Sequence, residues 1–113
     1  MKTVVTFIRD LMFGSKVDSV LASLGCTVRK ARSFADIESA VKEQGEIAAA
    51  VLNLGIPGEE VFQAATLLIS KGVPVFAYYP HVETNLRDKA LECGVKEAYP
   101  RGAILDVLEK QLR

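Results

Sequence analysis

Several residue types that mark particular functions are scarce in this sequence. It has one histidine and two cysteines, Cys26 and Cys93, whose separation matches no metal-ligand spacing. We therefore predict two reduced thiols in a cytoplasmic protein that holds no metal and no cofactor. No run approaches the roughly 20 apolar residues that a membrane helix needs, and polar residues near the N-terminus make a poor signal peptide.

An excess charge of either sign is also missing. The 14 lysines and arginines balance 14 aspartates and glutamates, so the formal net charge is zero. Binding to nucleic acid or to a membrane surface through bulk positive charge is therefore not expected. The 113 residues, half of them hydrophobic, predict a single globular domain over 1–113.

Apolar, β-branched runs alternate with helical patterns along the chain. The predicted strands cover residues 3–8, 26–31, 47–52, 73–79 and 96–100. Two helices are predicted to start at capping boxes over 15–18 and 33–36, and three more to span about 59–71, 85–93 and 103–112. Five such units predict an α/β fold with a parallel sheet and five helices.

The charged residues of the strands predict their order. The second strand carries Arg29 and Lys30, and the fifth carries Lys96 and Glu97, whereas the other three are almost wholly apolar. Charged strands belong at the edges of a sheet. With right-handed crossovers this gives the doubly wound, flavodoxin-like order 2-1-3-4-5.

A ligand crevice in such a sheet lies beyond the carboxyl ends of the strands, where the winding reverses. The residues predicted to reach it follow strands one, three, four and five: Arg9, Asp10, Asn53, Tyr79, Pro80, His81 and Arg101.

Three segments around these positions resemble the receiver domains of two-component response regulators. Residues 52–58, Leu-Asn-Leu-Gly-Ile-Pro-Gly, resemble the receiver segment Leu-Asp-Leu-x-Met-Pro-Gly. Residues 73–80 resemble the receiver fourth strand, and residues 94–102 resemble the stretch Gly-Ala-x-x-Tyr-x-x-Lys-Pro. The resemblance spans essentially the whole chain and implies the receiver fold and a role in bacterial two-component or phosphorelay signalling.

The departures from the receiver pattern fall on its chemistry. Asn53 stands where receivers carry the phosphoacceptor aspartate, and a neutral amide is a poor nucleophile. In the best register Ile8 and Arg9 lie at the position of the acidic pair that holds Mg²⁺, and a one-residue slip places Arg9 and Asp10 there. Either way at most one carboxylate remains, and a guanidinium would repel the cation. Tyr79 replaces the switch hydroxyl residue, and Arg101 replaces the lysine. The sequence therefore predicts a degenerate phosphorylation pocket.

Each of these residues has a second interpretation. Asn53 is either a hub that locks the pocket or an ordinary residue in a local turn. Arg9 and Asp10 either replace the metal internally, with the guanidinium bonded to Asn53 or a loop carbonyl, or form a solvated pair. Arg9, His81 and Arg101 either form an anion site or are separate exposed side chains.

Candidate docking residues lie in two places. Met12 and Phe13, in the loop predicted after strand one, could cap the crevice, dock a partner or staple the next helix. The resemblance implies an output face around helix four, strand five and helix five, near Leu86, Lys89, Ala98 and Ile104. Of the adjacent tyrosines 78 and 79, one should pack under a helix and the other should face the old switch pocket.

The leading functional prediction is a stand-alone pseudo-receiver that signals through protein partners without phosphorylation. Two alternatives remain open: a sensor of a small anion or nucleotide in the crevice, and an atypical phosphorylatable regulator. No enzyme is expected, because no activated nucleophile, acid pair or metal constellation is present. Whether the chain forms a homodimer is left open.

Overall fold

The computed structural model describes residues 2–80 and 84–113. Strands and helices alternate along the chain. The five strands are β1 (Lys2–Phe7), β2 (Cys26–Ala31), β3 (Ala49–Asn53), β4 (Val75–Tyr79) and β5 (Ala98–Pro100). The five helices are α1 (Leu11–Ser23), α2 (Phe34–Glu43), α3 (Glu60–Ser70), α4 (Thr84–Glu92) and α5 (Arg101–Gln111).

The strands form one parallel sheet in the order β2-β1-β3-β4-β5. The prediction of a doubly wound, flavodoxin-like sheet is confirmed, with β2, which carries Arg29 and Lys30, at one edge and β5 at the other. β5 is shorter than the predicted strand 96–100, so Lys96 and Glu97 lie in the segment before it. The winding reverses between β1 and β3, which pair through Val4 with Ala49 and through Phe7 with Leu52. The carboxyl ends of these strands, together with those of β4 and β5, form what we call the carboxyl edge of the sheet.

Side chains of each strand alternate between two cores, one on each face of the sheet. The α2–α4 face is filled by Phe7, Leu52 and residues of α2, α3 and α4. The α1–α5 face is filled by Val4, Tyr78 and residues of α1 and α5. A side chain at the carboxyl edge is therefore assigned to one face by its position in its strand.

Two boundaries near the carboxyl edge differ from the sequence prediction. Helix α1 begins at Leu11, one turn before the predicted cap at Ser15, because Asp10 provides the cap and Gly14 is accommodated inside the helix. Helix α5 begins at Arg101, directly after β5, instead of at 103. The predicted cap of α2 is confirmed, since Ser33 Oγ accepts from the Asp36 N–H at 3.2 Å.

The cysteines are both free, as predicted: Cys26 is buried, and Cys93 is half-buried. Over residues 2–80 and 84–113, no helix is both long enough and apolar enough to cross a membrane.

Candidate functional site

Arg9 lies just past the end of β1 and joins three segments of the chain. Its Nε donates to the carbonyl oxygen of Arg32, in the loop between β2 and α2, at 3.1 Å. Its Nη2 donates to Oε2 of Glu60, the first residue of α3, at 3.0 Å. The guanidinium also lies 5.5 Å from the centre of the Phe7 ring, on the α2–α4 face. The predicted bond from Arg9 to a loop carbonyl is thus present, and Asn53 is not its partner.

Glu60 completes this junction. Its second oxygen, Oε1, accepts the backbone N–H of Phe34 at the start of α2 at 2.9 Å. The Phe34 N–H, followed by Arg9, lowers the pKa of Glu60 below its ordinary value of 4.5. Sequence reasoning missed this residue because 51 positions separate it from Arg9. The available signal was topological, since α3 must start at the same edge at which β1 ends.

Asp10 serves as the N-terminal cap of α1. Its Oδ1 accepts the N–H of Met12 at 3.0 Å and that of Phe13 at 3.3 Å. A carboxylate at this position satisfies two free donors and faces the positive end of the helix dipole. Asp10 therefore forms no side-chain pair with Arg9, although the two are adjacent in sequence.

Asn53 is the last residue of β3, and its side chain makes a local turn. Oδ1 accepts the backbone N–H of Gly55 at 2.8 Å, the pattern of an Asx turn. This is the local-turn interpretation, not the hub. The following loop is tightly packed: a Cβ added to Gly55 would lie 2.5 Å from Cγ and 2.7 Å from Cδ of Pro80. Pro80, the residue after β4, thus packs directly against the turn that Asn53 forms.

The tyrosines at the end of β4 point to opposite faces, as the strand alternation predicts. Tyr79 is half-buried and packs against the core of the α2–α4 face. Tyr78 is buried in the α1–α5 face, and its hydroxyl has no hydrogen-bond partner among the described residues. This burial, together with the nearby carboxylate of Asp10, raises the pKa of Tyr78 above its ordinary value.

Phe13 covers Tyr78 from the first turn of α1. The Phe13 and Tyr78 ring centres are 5.1 Å apart, and the ring planes are tilted by 58°. The guanidinium of Arg101 lies over the Phe13 ring, 5.6 Å from its centre. Such contacts stabilise packed aromatic rings and the cation above them. Phe13 thus covers the α1–α5 side of the carboxyl edge. Of the three roles predicted for it, namely capping the crevice, docking a partner and stapling the helix, this contact corresponds to capping.

Two of the three predicted anion-binding residues, Arg9 and Arg101, lie on opposite faces of the sheet. Arg9 is held on the α2–α4 face by Glu60, whereas Arg101 lies over Phe13 on the α1–α5 face. His81, the third member, lies outside the described residues. Within the described ranges no three His, Cys, Asp or Glu side chains cluster in a way that could hold a metal ion.

The proposed output face is largely unavailable. Ala98 and Ile104 are 3 % and 0 % exposed, so their assignment to a docking surface is wrong. Ala98 faces one core and Ile104 the other, because strand and helix periodicity turn them inward. Leu86 packs against the α2–α4 core, and Lys89 pairs with Glu59 and lies 4.5 Å from the centre of the Phe62 ring.

An exposed apolar pair lies instead at the start of α1. Leu11 is 72 % exposed and Met12 is 80 % exposed, and they are the large hydrophobic residues exposed in the described part of the chain. Met12 was predicted from sequence, whereas Leu11 was missed because the start of α1 was placed one turn too late.

No family model and no curated protein sequence matches this chain. Solved structures do match it in fold. A response regulator receiver domain from Clostridium thermocellum superposes with a TM-score of 0.82 at 12 % identity, over 99 % of this chain and 91 % of that one. A response regulator receiver protein from Burkholderia phymatum gives 0.72 at 22 % identity, over 88 % and 81 %.

A third neighbour is the receiver domain of a sensor histidine kinase from Pseudomonas aeruginosa, with a magnesium ion coordinated in its active site cleft. It superposes with a TM-score of 0.76 at 15 % identity, over 98 % of this chain and 97 % of that one. The chain therefore has the fold of response regulator receiver domains.

Proposed function

We propose that this protein is a pseudo-receiver, a signalling module that binds protein partners without being phosphorylated. The observation that carries the proposal is the state of the acceptor position. Asn53 has an amide where an acyl phosphate would need a carboxylate, and its oxygen is already held by the N–H of Gly55. The turn is further covered by Pro80, which packs against Gly55.

The residues at the metal position support the same proposal. A divalent cation such as Mg²⁺ needs several hard oxygen ligands, preferably anionic. Here Asp10 directs Oδ1 at the N–H groups of α1, and Asn53 directs Oδ1 at Gly55. Arg9, the residue before Asp10, adds a positive charge to this edge, and its guanidinium is paired with Glu60. These residues do not fit a magnesium ion.

Ion pairs hold the loops at the carboxyl edge, whose positions a bound cation and a phosphoryl group would otherwise control. Arg9 with Glu60 ties the end of β1 to α3, and Lys89 with Glu59 ties α4 to the start of α3. In this proposal the loops at the carboxyl edge keep one conformation, and signalling depends on whether a partner is bound.

The partner contact is proposed at Leu11 and Met12. Both side chains project into solvent from the first turn of α1, where exposed large apolar residues cost solubility unless another surface covers them. Ser15 and Lys16 lie next to the pair along the same shallow surface. The pair forms a compact apolar centre with a polar rim, the usual composition of a small protein interface.

Affinity capture from the source cell tests this proposal when four samples are compared. They are the wild type, the wild type with Mg²⁺ and acetyl phosphate, the double variant Leu11→Ser and Met12→Ser, and Ala22→Ser, which alters an exposed site at the far end of α1. We expect the same partners for the wild type with and without the phosphodonor and for Ala22→Ser, and their loss in the double variant. Capture that requires the phosphodonor would contradict the proposal, and full capture by the double variant would exclude this surface.

A further inference from the structure

A groove of about 460 Å³ opens at the amino edge of the sheet, opposite the carboxyl edge. It lies between β4 and the segment that leads into β5, and α3 and α5 contribute to its walls. Its lining includes Val75, Phe76, Val95, Lys96, Tyr99 and Gln111. No part of it contacts the residues of the proposed function.

The groove exists because β5 is short. Its pairing with β4 begins only at Ala98, which lies opposite Ala77. Val75 and Phe76 precede that point, so each pairs with β3 on one side and faces the groove on the other. Both side chains are only half-buried, although β4 is an interior strand. Val75 points to the α2–α4 face and Phe76 to the α1–α5 face, so the gap in the sheet leaves one half-buried apolar side chain on each side of the sheet edge.

The charges around the groove are unequal. Glu97 is already engaged, since its Oε1 accepts Arg87 Nε and the Ala98 N–H, each at 3.0 Å. These two contacts, that of Arg87 first, lower the pKa of Glu97. Lys96 is exposed and forms no ion pair with any described residue. Its ammonium group is the uncompensated charge of the groove.

Helices α3 and α4 end at this edge, and several of their last-turn carbonyls are bonded within the chain. After α3 the N–H groups of Gly72 and Val73 bond back to the carbonyls of Ile69 and Leu68. After α4 the Val95 N–H bonds to the Ala90 carbonyl at 3.1 Å. The carbonyls of Leu68, Ile69 and Ala90 are thus satisfied within the chain by the bonds that commonly end helices.

We infer that this groove binds a small apolar carboxylate. The apolar part of the ligand lies against Val75, Phe76 and Val95, and its carboxylate accepts a charge-assisted hydrogen bond from Lys96 Nζ. The volume is typical of small-molecule sites, which are mostly apolar with a few polar groups. A phosphate group is disfavoured because one ammonium beside an apolar wall cannot replace the hydration of a dianion.

The test is an amide NMR titration of the whole protein with phenylbutyrate and, separately, with its neutral amide. We expect saturable shifts at Val75, Phe76 and Lys96, with the neutral amide and the variant Lys96→Gln each weakening binding about tenfold. Lys71→Gln is the matched control, because Lys71 is exposed but does not line the groove.

Unchanged affinity for Lys71→Gln, with weaker binding for Lys96→Gln, supports the site. Absence of saturable shifts would overturn the inference. Equal affinity of the wild type and Lys96→Gln, or of the acid and its amide, would also overturn it. Thermal unfolding of both variants confirms that they are folded, and these results are independent of phosphorylation and of partner capture.

Discussion

The guanidinium of Arg9 and the carboxylate of Glu60 form an ion pair of 3.0 Å that joins the end of β1 to the start of α3. Each partner also bonds a backbone group where β2 leads into α2: Arg9 bonds the carbonyl of Arg32 in the loop, and Glu60 bonds the N–H of Phe34, the first residue of α2. One arginine and one carboxylate thereby join three chain segments at the carboxyl edge of the sheet.

Replacing Glu60 with Gln should lower stability modestly in a pH-dependent way. The folded-state pKa of Glu60 is lowered by the Phe34 N–H and then by Arg9, so its stabilisation is present above the unfolded pKa and lost as pH falls through the folded value. The difference in Tm between wild type and Glu60→Gln should be a few degrees at most, because the pair is exposed. It should be constant near neutral pH and shrink below about 4.5. A difference that grows on acidification would contradict the assigned ion pair.

Asp10 is expected to tolerate an amide but not a methyl group. Asn caps helices about as well as Asp, so Asp10→Asn should change the free energy of unfolding little, whereas Asp10→Ala should cost about 1 kcal/mol. Urea unfolding followed by circular dichroism measures both. If Asp10→Asn were as damaging as Asp10→Ala, the negative charge would matter for more than the cap.

Tyr78→Phe should leave the protein as stable or make it more stable, by up to about 1 kcal/mol. The variant removes a buried hydroxyl without a partner, whose burial costs free energy, and keeps the ring contact with Phe13. Tyr99→Phe is the control, since that tyrosine is only half-buried. A clear loss of stability in urea unfolding for Tyr78→Phe alone would mean that its hydroxyl is hydrogen-bonded.

Gly55→Ala should destabilise the fold by about 1–3 kcal/mol, the usual cost of forcing an extra carbon into a packed site. The added Cβ would overlap the ring of Pro80 at 2.5 Å, and it would lie 3.1 Å from Asn53 Oδ1. Gly102→Ala is the matched control, because no atom lies within 4 Å of its added Cβ in α5 and alanine favours helix. Chemical denaturation should therefore move the two variants in opposite directions. Equal effects would contradict the close contact between the two loops.

The fold could be predicted in detail because the charged and apolar residues of the strands indicate which strands are buried. Arg29 and Lys96, in and beside the edge strands, contrast with the apolar β1 and β3, and that contrast together with right-handed crossovers predicted the strand order. Helix starts were less certain. Asp10 and Ser15 are both good caps, and only the structure shows that α1 continues through Gly14.

The site was predictable residue by residue but not contact by contact. Sequence placed Arg9 and Asn53 at the carboxyl edge, yet their partners depend on side-chain directions that no spacing encodes. The Arg9–Glu60 pair needs two distant segments to meet at one edge. The prediction that Ile104 belongs to a docking surface was wrong for a related reason. It came from the family resemblance, whereas the position of Ile104 in its helix turns the side chain into the core.

The proposed function requires that the acceptor position of this receiver fold accepts no phosphoryl group. Its most direct test is the intact mass of the protein after incubation with Mg²⁺ and acetyl phosphate, with and without Asn53→Asp. We expect the wild-type mass to be unchanged, because Asn53 carries an amide whose oxygen is bonded to the N–H of Gly55. A stoichiometric phosphoryl adduct on the wild-type protein would contradict it.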